Sequence, residues 1–196
     1  MARTPTITQA QILEAARVVF LEKGFSATTV DVAKRAGISS ASIFKHFPTK
    51  EALFFAAMSE TSCDSLWSAA LEAEIGQGNP RSDLLKIALR IAAYAEAVMP
   101  RMMLAWSVRQ PGEIVIPPNV EPDFAALTAY LAREMALGRI ARGDPTIPAL
   151  TLFHTVVGFT MSQTLQSAAV RLDTSSFLAD FVDLLWRGLN PNGQRA

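Results

Sequence analysis

Apolar residues return along this chain at intervals of three and four, and almost never at two. Ile12, Ala16, Val19 and Phe20 fall at i, i+4, i+7 and i+8, one face of a helix. Thr8 with Gln11 has the spacing of a capping box that would open this helix, and Gly24 would end it. TVDVAKRA (29–36) reads as a second, shorter helix, with Thr28 and Thr29 as N-cap candidates and Gly37 as its stop. Two helical turns are expected from Ser40 to His46. Thr49 then caps a long helix running from Lys50 to about Ile75, and GQGNP (76–80) breaks the pattern.

Further helices are expected over about 82–98 and, opened by Pro100, over RMMLAWSVRQ. PGEIVIPPNVEP (111–122) holds four prolines and is the longest non-helical stretch. Pro122 opens DFAALTAYLAREMALGRIA. Asp144–Pro145 supplies a cap and first-turn proline for a helix reaching about Val170. Thr174 to Ser176 cap the last helix, where Phe177, Phe181, Leu184 and Leu185 share a face, and Asn190–Pro191 ends it. The expected fold is all-α, with about nine helices.

Composition narrows the class. Half of the 196 residues are hydrophobic and 18% are charged, which is globular composition. The single cysteine, Cys63, excludes an internal disulfide and fits a reducing compartment, so a cytoplasmic protein is expected. Asp64 beside it disfavours the thiolate, and no redox switch is expected. MARTPTITQAQ has no apolar run, so no signal peptide is expected. Residues 146–170 lack any Asp, Glu, Lys or Arg, but they carry Pro148, His154, Gln163, Gln166 and several threonines. That composition fits a helix buried against other helices, and no membrane association is expected. No phosphate loop and no metal-ligand spacing is present. Neither a catalytic site nor a metal nor a cofactor is expected, and the chain is not read as an enzyme.

Net charge is zero, yet residues 1–58 carry seven basic side chains against four acidic, an excess of three. The candidate chemistry lies in that part. Ile43 and Phe47 give the short helix at 40–46 one apolar face, with Ile38, Phe20 and Phe25 as partners. The other face holds Ser40, Ala41, Ser42, Lys45 and His46. Small side chains let a backbone approach base edges, hydroxyls read them, and longer cations reach phosphates. With the helix at 29–36 and the Gly37 turn, this makes a helix-turn-helix. Spacing alone leaves a hairpin that merely packs equally open. The local positive charge, the helix N-terminus at Thr28 and Thr29, and Lys50 set against a helix macrodipole all favour an anionic partner.

ILEAARVVFLEKGFSATTVDVAKRAGISSASIFKHFPTKEAL, within residues 8–53, resembles the N-terminal domain of the TetR family of bacterial transcription regulators. The resemblance covers about a quarter of the chain. It implies a DNA-binding domain over residues 1–49 and a ligand-binding and dimerisation domain over 50–196. Thr28 and Thr29 would mark a phosphate site, with Thr29 bonding the phosphate. Ser40, Ala41 and Ser42 would face bases, Lys45 and His46 would contact backbone or base edges, and Lys50 would hold a phosphate. Phe44 stands where the family usually has tyrosine. The lost hydroxyl weakens phosphate anchoring by about 1 kcal/mol, while Phe44 keeps apolar contact with sugar or a thymine methyl.

The resemblance further implies a double-stranded operator, a small apolar or amphipathic effector, and a homodimer. The dimer is expected through the last two helices, about 145–171 and 175–189, which are apolar on more than one face. Large adaptable side chains between residues 58 and 161 suit an effector pocket. The candidates are Trp67, Met102, Met103, Trp106 and Phe124, with His154 and Thr160, alongside Gln163, as polar anchors. A repressor is the first reading. An activator of the same fold, or a ligand-binding helical protein without DNA binding, is the alternative.

Overall fold

The computed structural model describes residues 7–59, 67–108, 120–166 and 172–191, the side chains of 67–70 excepted. Among these residues there are nine α-helices and no strand: α1 Gln9–Lys23, α2 Thr29–Ala36, α3 Ser40–Phe44, α4 Lys50–Ser59, α5 Trp67–Glu74, α6 Pro80–Val108, α7 Val120–Ala136, α8 Thr146–Leu165 and α9 Thr174–Leu189. The continuity of the helix expected from Lys50 to Ile75, the environment of Cys63 and the IVI of the proline-rich stretch lie outside the described residues.

The chain forms two compact units. One takes residues 1–62 and 100–115, the other residues 63–99 and 116–196. In the first, α1 opens with the Thr8–Gln11 capping box, both reciprocal bonds being present. Its core joins Ile12, Ala16, Phe20, Val32, Ile43, Leu53, Phe54 and Ala105, all buried. The packing thus groups α4 and the end of α6 with the first three helices.

Three local expectations are corrected. The short helix ends at Phe44, not His46: the amides of both His46 and Phe47 turn back to the Ile43 carbonyl, at 2.9 Å each, and this closes the helix. No helix starts at Pro100, because α6 runs through it. Proline there removes only the amide that would meet the Glu96 carbonyl, and the flanking turns continue on both sides. The last helix is capped by Asp173, one residue before the expected threonine, its carboxylate accepting the Ser176 amide at 2.7 Å. Asp144 does act at the start of α8, accepting the Thr146 amide at 2.8 Å.

The second unit is built on Leu84, Ile87, Ile91, Leu127, Leu131, Leu152, Val156, Leu178 and Val182. α8 and α9 meet through Phe159 stacked on Phe177, centroids 3.8 Å apart. Arg81 of α6 is ion-paired with Asp183 of α9. A buried polar cluster holds the α5–α6 turn. Two residues past the end of α7, Gly138 takes a left-handed φ of +73°, and the amide of Arg139 returns to the Glu134 carbonyl at 3.0 Å. That turn lays the Arg139 guanidinium on the Glu134 carboxylate, Nε to Oε2 2.7 Å. Glu134 also accepts the Gly76 amide at 2.6 Å, and Arg139 donates to the carbonyls of Gln77 and Gly78. Asp83, likewise buried, takes Lys86 at 2.9 Å and Tyr130 Oη at 3.5 Å. Burial, then the charges of Asp83 and Glu134, push the Tyr130 phenol well above its ordinary range, so it stays a donor.

Candidate nucleic-acid interface

α2 and α3 stand on a frame that sequence alone determines locally. Thr28 caps α2 in a reciprocal box: its hydroxyl accepts the Asp31 amide at 3.2 Å, and Asp31 accepts the Thr28 amide at 2.8 Å. Lys23 reaches the same carboxylate at 2.6 Å. The bond from Lys23, then those from Thr28, hold Asp31 well below the usual carboxylate range. The chain thus supplies its own anion at this helix start. The Thr28 hydroxyl is committed to Asp31, and the half-buried Thr29 stands beside it.

At the other end Gly37 adopts φ +69°, ψ 31°. Its amide meets the Lys34 carbonyl, and the Ile38 amide returns to Ala33 at 3.0 Å. This paired closure needs a residue that accepts positive φ, and it swings the chain directly into α3. Ser39 caps α3, accepting the Ser42 amide at 3.2 Å, and its hydroxyl shares a hydrogen bond with Ser42 Oγ at 2.9 Å. The sequence reading did not single out Ser39. The signal was present: a serine directly before the helical run, three residues ahead of Ser42.

α3 has only five residues, so packing must hold it. Ile43 is 0% exposed and Phe47 is buried, in the positions that periodicity assigned. The outward side carries Ala41, Phe44 at 47% exposure, Lys45 and His46, all exposed, with Ser40 and Ser42 half-buried at its edge. The six therefore lie within seven consecutive residues, Ser40 to Phe44 on the helix and Lys45 and His46 in the turn that closes it. Lys50 opens α4 and is half-buried. Its Nζ sits 4.3 Å above the Phe25 ring, so an aromatic face offsets the unfavourable macrodipole. Phe25 in turn packs edge-on against Phe54, centroids 4.9 Å apart.

The candidate effector residues are divided between the two units. Met102 is buried, Met103 half-buried and Trp106 exposed, all on the part of α6 that belongs to the first unit. In the second unit, Phe124 packs edge-on against Phe153, and His154 is exposed with Nδ1 3.2 Å from the Leu150 carbonyl. Thr160 is buried and borders an open cavity with Glu96, Gln163 and Thr164. The Trp67 side chain lies outside the described residues. Among the described residues no cluster of three or more potential metal ligands occurs, and no helix is long and apolar enough to cross a membrane.

These elements define an all-α, helix-turn-helix protein. Residues 12–57, about a quarter of the chain, match the model of bacterial regulatory proteins, tetR family. Among solved structures, it is similar to FadR of Bacillus subtilis, determined with stearoyl-CoA, at 16% identity and a TM-score of 0.65, covering 92% of this chain and 99% of FadR. A putative TetR-family regulator of Mesorhizobium loti aligns at 20% identity and a TM-score of 0.67, over 92% and 96% of the two chains. A protein described in the control of antibiotic production by bacterial hormones aligns at 27% identity and a TM-score of 0.65, over 96% and 100%. No curated protein matches the chain.

Proposed function

We infer that this protein is a ligand-responsive transcription regulator that binds a palindromic operator as a homodimer. The observation that supports the reading is the outward side of α3 and the turn that closes it: Ala41 and Phe44 of the helix and Lys45 and His46 just after it are exposed, while Ile43 is fully buried. A helix held by a buried Ile43, with small groups along it and Lys45 and His46 directly after it, suits the major groove. Ser40 and Ser42 would meet base edges, Thr29, Lys45 and Lys50 phosphates, and Phe44 the sugar or a thymine methyl. Residues 1–49 would be the DNA-binding domain and 50–196 the effector and dimerisation domain.

The dimer would use α8 and α9, where Ile147, Leu165 and Leu184 are more than 60% exposed. Apolar side chains this open on two neighbouring helices suit burial against a second copy. Release of DNA by a small apolar or amphipathic effector, and hence repression, is the favoured sign. The effector would have to prefer the DNA-free spacing of the two reading heads by a few kcal/mol.

Two substitutions separate positioning from reading. Lys50→Ala should weaken binding to all DNA sequences alike and flatten the dependence of log Kd on log salt by about one unit. Ser42→Ala should instead change which bases are preferred at its position, with little change in salt slope. Fluorescence anisotropy across a salt series and an operator library reads both. Unchanged affinity and preference in both variants would show that α3 is not the reading helix.

A further inference from the structure

Cations of the first unit are held in two ways. Arg17 is ion-paired with Glu14, Lys23 with Asp31 at 2.6 Å, and Arg35 with Glu22 at 3.9 Å. In each pair the carboxylate offsets the charge that it holds. Lys50 rests instead on an aromatic ring, its Nζ 4.3 Å from the Phe25 centroid. A ring face attracts a cation through its quadrupole and brings no net charge of its own. The ammonium is held without being neutralised, and it keeps N–H groups for a stronger acceptor.

The ring is itself fixed. Phe25 lies in the single 3-10 turn Gly24–Ser26, which leads to the α2 cap at Thr28. It stands edge-on to Phe54 at 4.9 Å, and Phe54 stands edge-on to Phe20 at 5.0 Å. Phe20 of α1 and Phe54 of α4 are both fully buried. These two rings set the plane on which Lys50 lies. Two effects would otherwise drive the side chain into water. Lys50 is the first residue of α4, where the macrodipole opposes a cation, and a free lysine side chain gains rotamer entropy. The ring contact works against both.

We propose that Phe25 is a positioning residue for DNA binding: its ring holds the Lys50 ammonium in place, with its charge unspent, before a phosphate arrives. The inference rests on the reading of Lys50 as a phosphate contact. Ordering the side chain beforehand removes part of the cost of binding. That gain acts through Lys50, so it should vanish when Lys50 is replaced.

The contact is read first in the free protein by NMR. Protons over a ring face are shielded, so the Lys50 ε-methylene protons should lie upfield of those of the exposed Lys34 and Lys45. Phe25→Leu should return them to the ordinary position. Lys50 signals that Phe25→Leu leaves unmoved would overturn the proposal without any reference to DNA. Affinity for one DNA duplex is then compared among the natural protein, Phe25→Leu, Lys50→Ala and the double variant. Phe25→Leu should weaken binding about threefold per bound copy, with the salt slope nearly unchanged because the charge remains. Within the Lys50→Ala background the same change should have almost no effect. An equal loss in both backgrounds, or none in the natural one, would overturn the proposal and leave Lys50 as a phosphate contact. Natural affinity in Lys50→Ala would sink the reading of Lys50 itself, and the proposal with it. Phe25 is half-buried, so a second variant separates charge from packing. With 3,4,5-trifluorophenylalanine at position 25 the ring stays and its face loses electron density. Binding should weaken as in Phe25→Leu, and full affinity would count against the ring's role.

Discussion

Glu134→Ala is expected to lower the stability of the protein by about 3–5 kcal/mol, the usual cost of removing one partner from a buried ion pair. Glu134 is 0% exposed and accepts from Gly76 and Arg139. Without it the Gly76 amide is left buried, and a cation stands over the α5–α6 turn with no counter-charge. Glu134→Gln keeps the shape and one acceptor oxygen for Gly76, so about half that loss is expected. Chemical denaturation followed by circular dichroism would measure both. A loss below about 1 kcal/mol for the alanine variant would mean that the cluster is solvated and holds nothing. The effect should spread along α6, because this cluster fixes where the helix starts: Arg139 also grips the carbonyls of Gln77 and Gly78 just before Pro80.

The other large effect is expected from Phe54→Ala. Phe54 is fully buried, with the rings of Phe20, Phe25 and Phe55 packed edge-on around it at 4.9–5.2 Å. Truncation should cost about 3–5 kcal/mol through lost burial and the cavity left behind. The change would also reach the proposed interface. Phe25 lies between Phe54 and Lys50, so the cavity frees the ring on which the Lys50 ammonium rests. Phe54→Leu refills most of the volume, and a smaller loss is expected, with DNA affinity retained. Denaturant unfolding checks the stability order. Equal stability of the alanine variant and the natural protein would remove Phe54 from the core of this unit.

Both variants lie where sequence reading was blind, and the reason is physical. The helix-turn-helix was legible because its determinants are local. Thr8 and Gln11, Thr28, Gly37, and Ile43 with Phe47 act within four residues of one another, and spacing alone places them. The lodging of Lys50 on Phe25 joins residues 25 apart, and no period announces it. Pro100 reads as a helix start, yet α6 passes through it, because packing on both sides outweighs one lost hydrogen bond. Glu134 did carry a signal that went unread. Leu127, Tyr130, Leu131 and Glu134 follow one helical stripe, so a carboxylate there had to be buried and paired. Its partner, Arg139, becomes visible only once Gly138 is known to turn back.

The proposed DNA reading is by α3 of each copy in a dimer. It is tested most directly by selecting genomic fragments with the purified full-length protein at low salt and footprinting what is retained. A short protected palindrome is expected, with half-sites one helical turn of DNA or a multiple apart, about 34–36 Å per turn, and it should be lost when salt is raised. Fragments retained without a protected site, or none retained from protein shown to be free of bound small molecules, would contradict it.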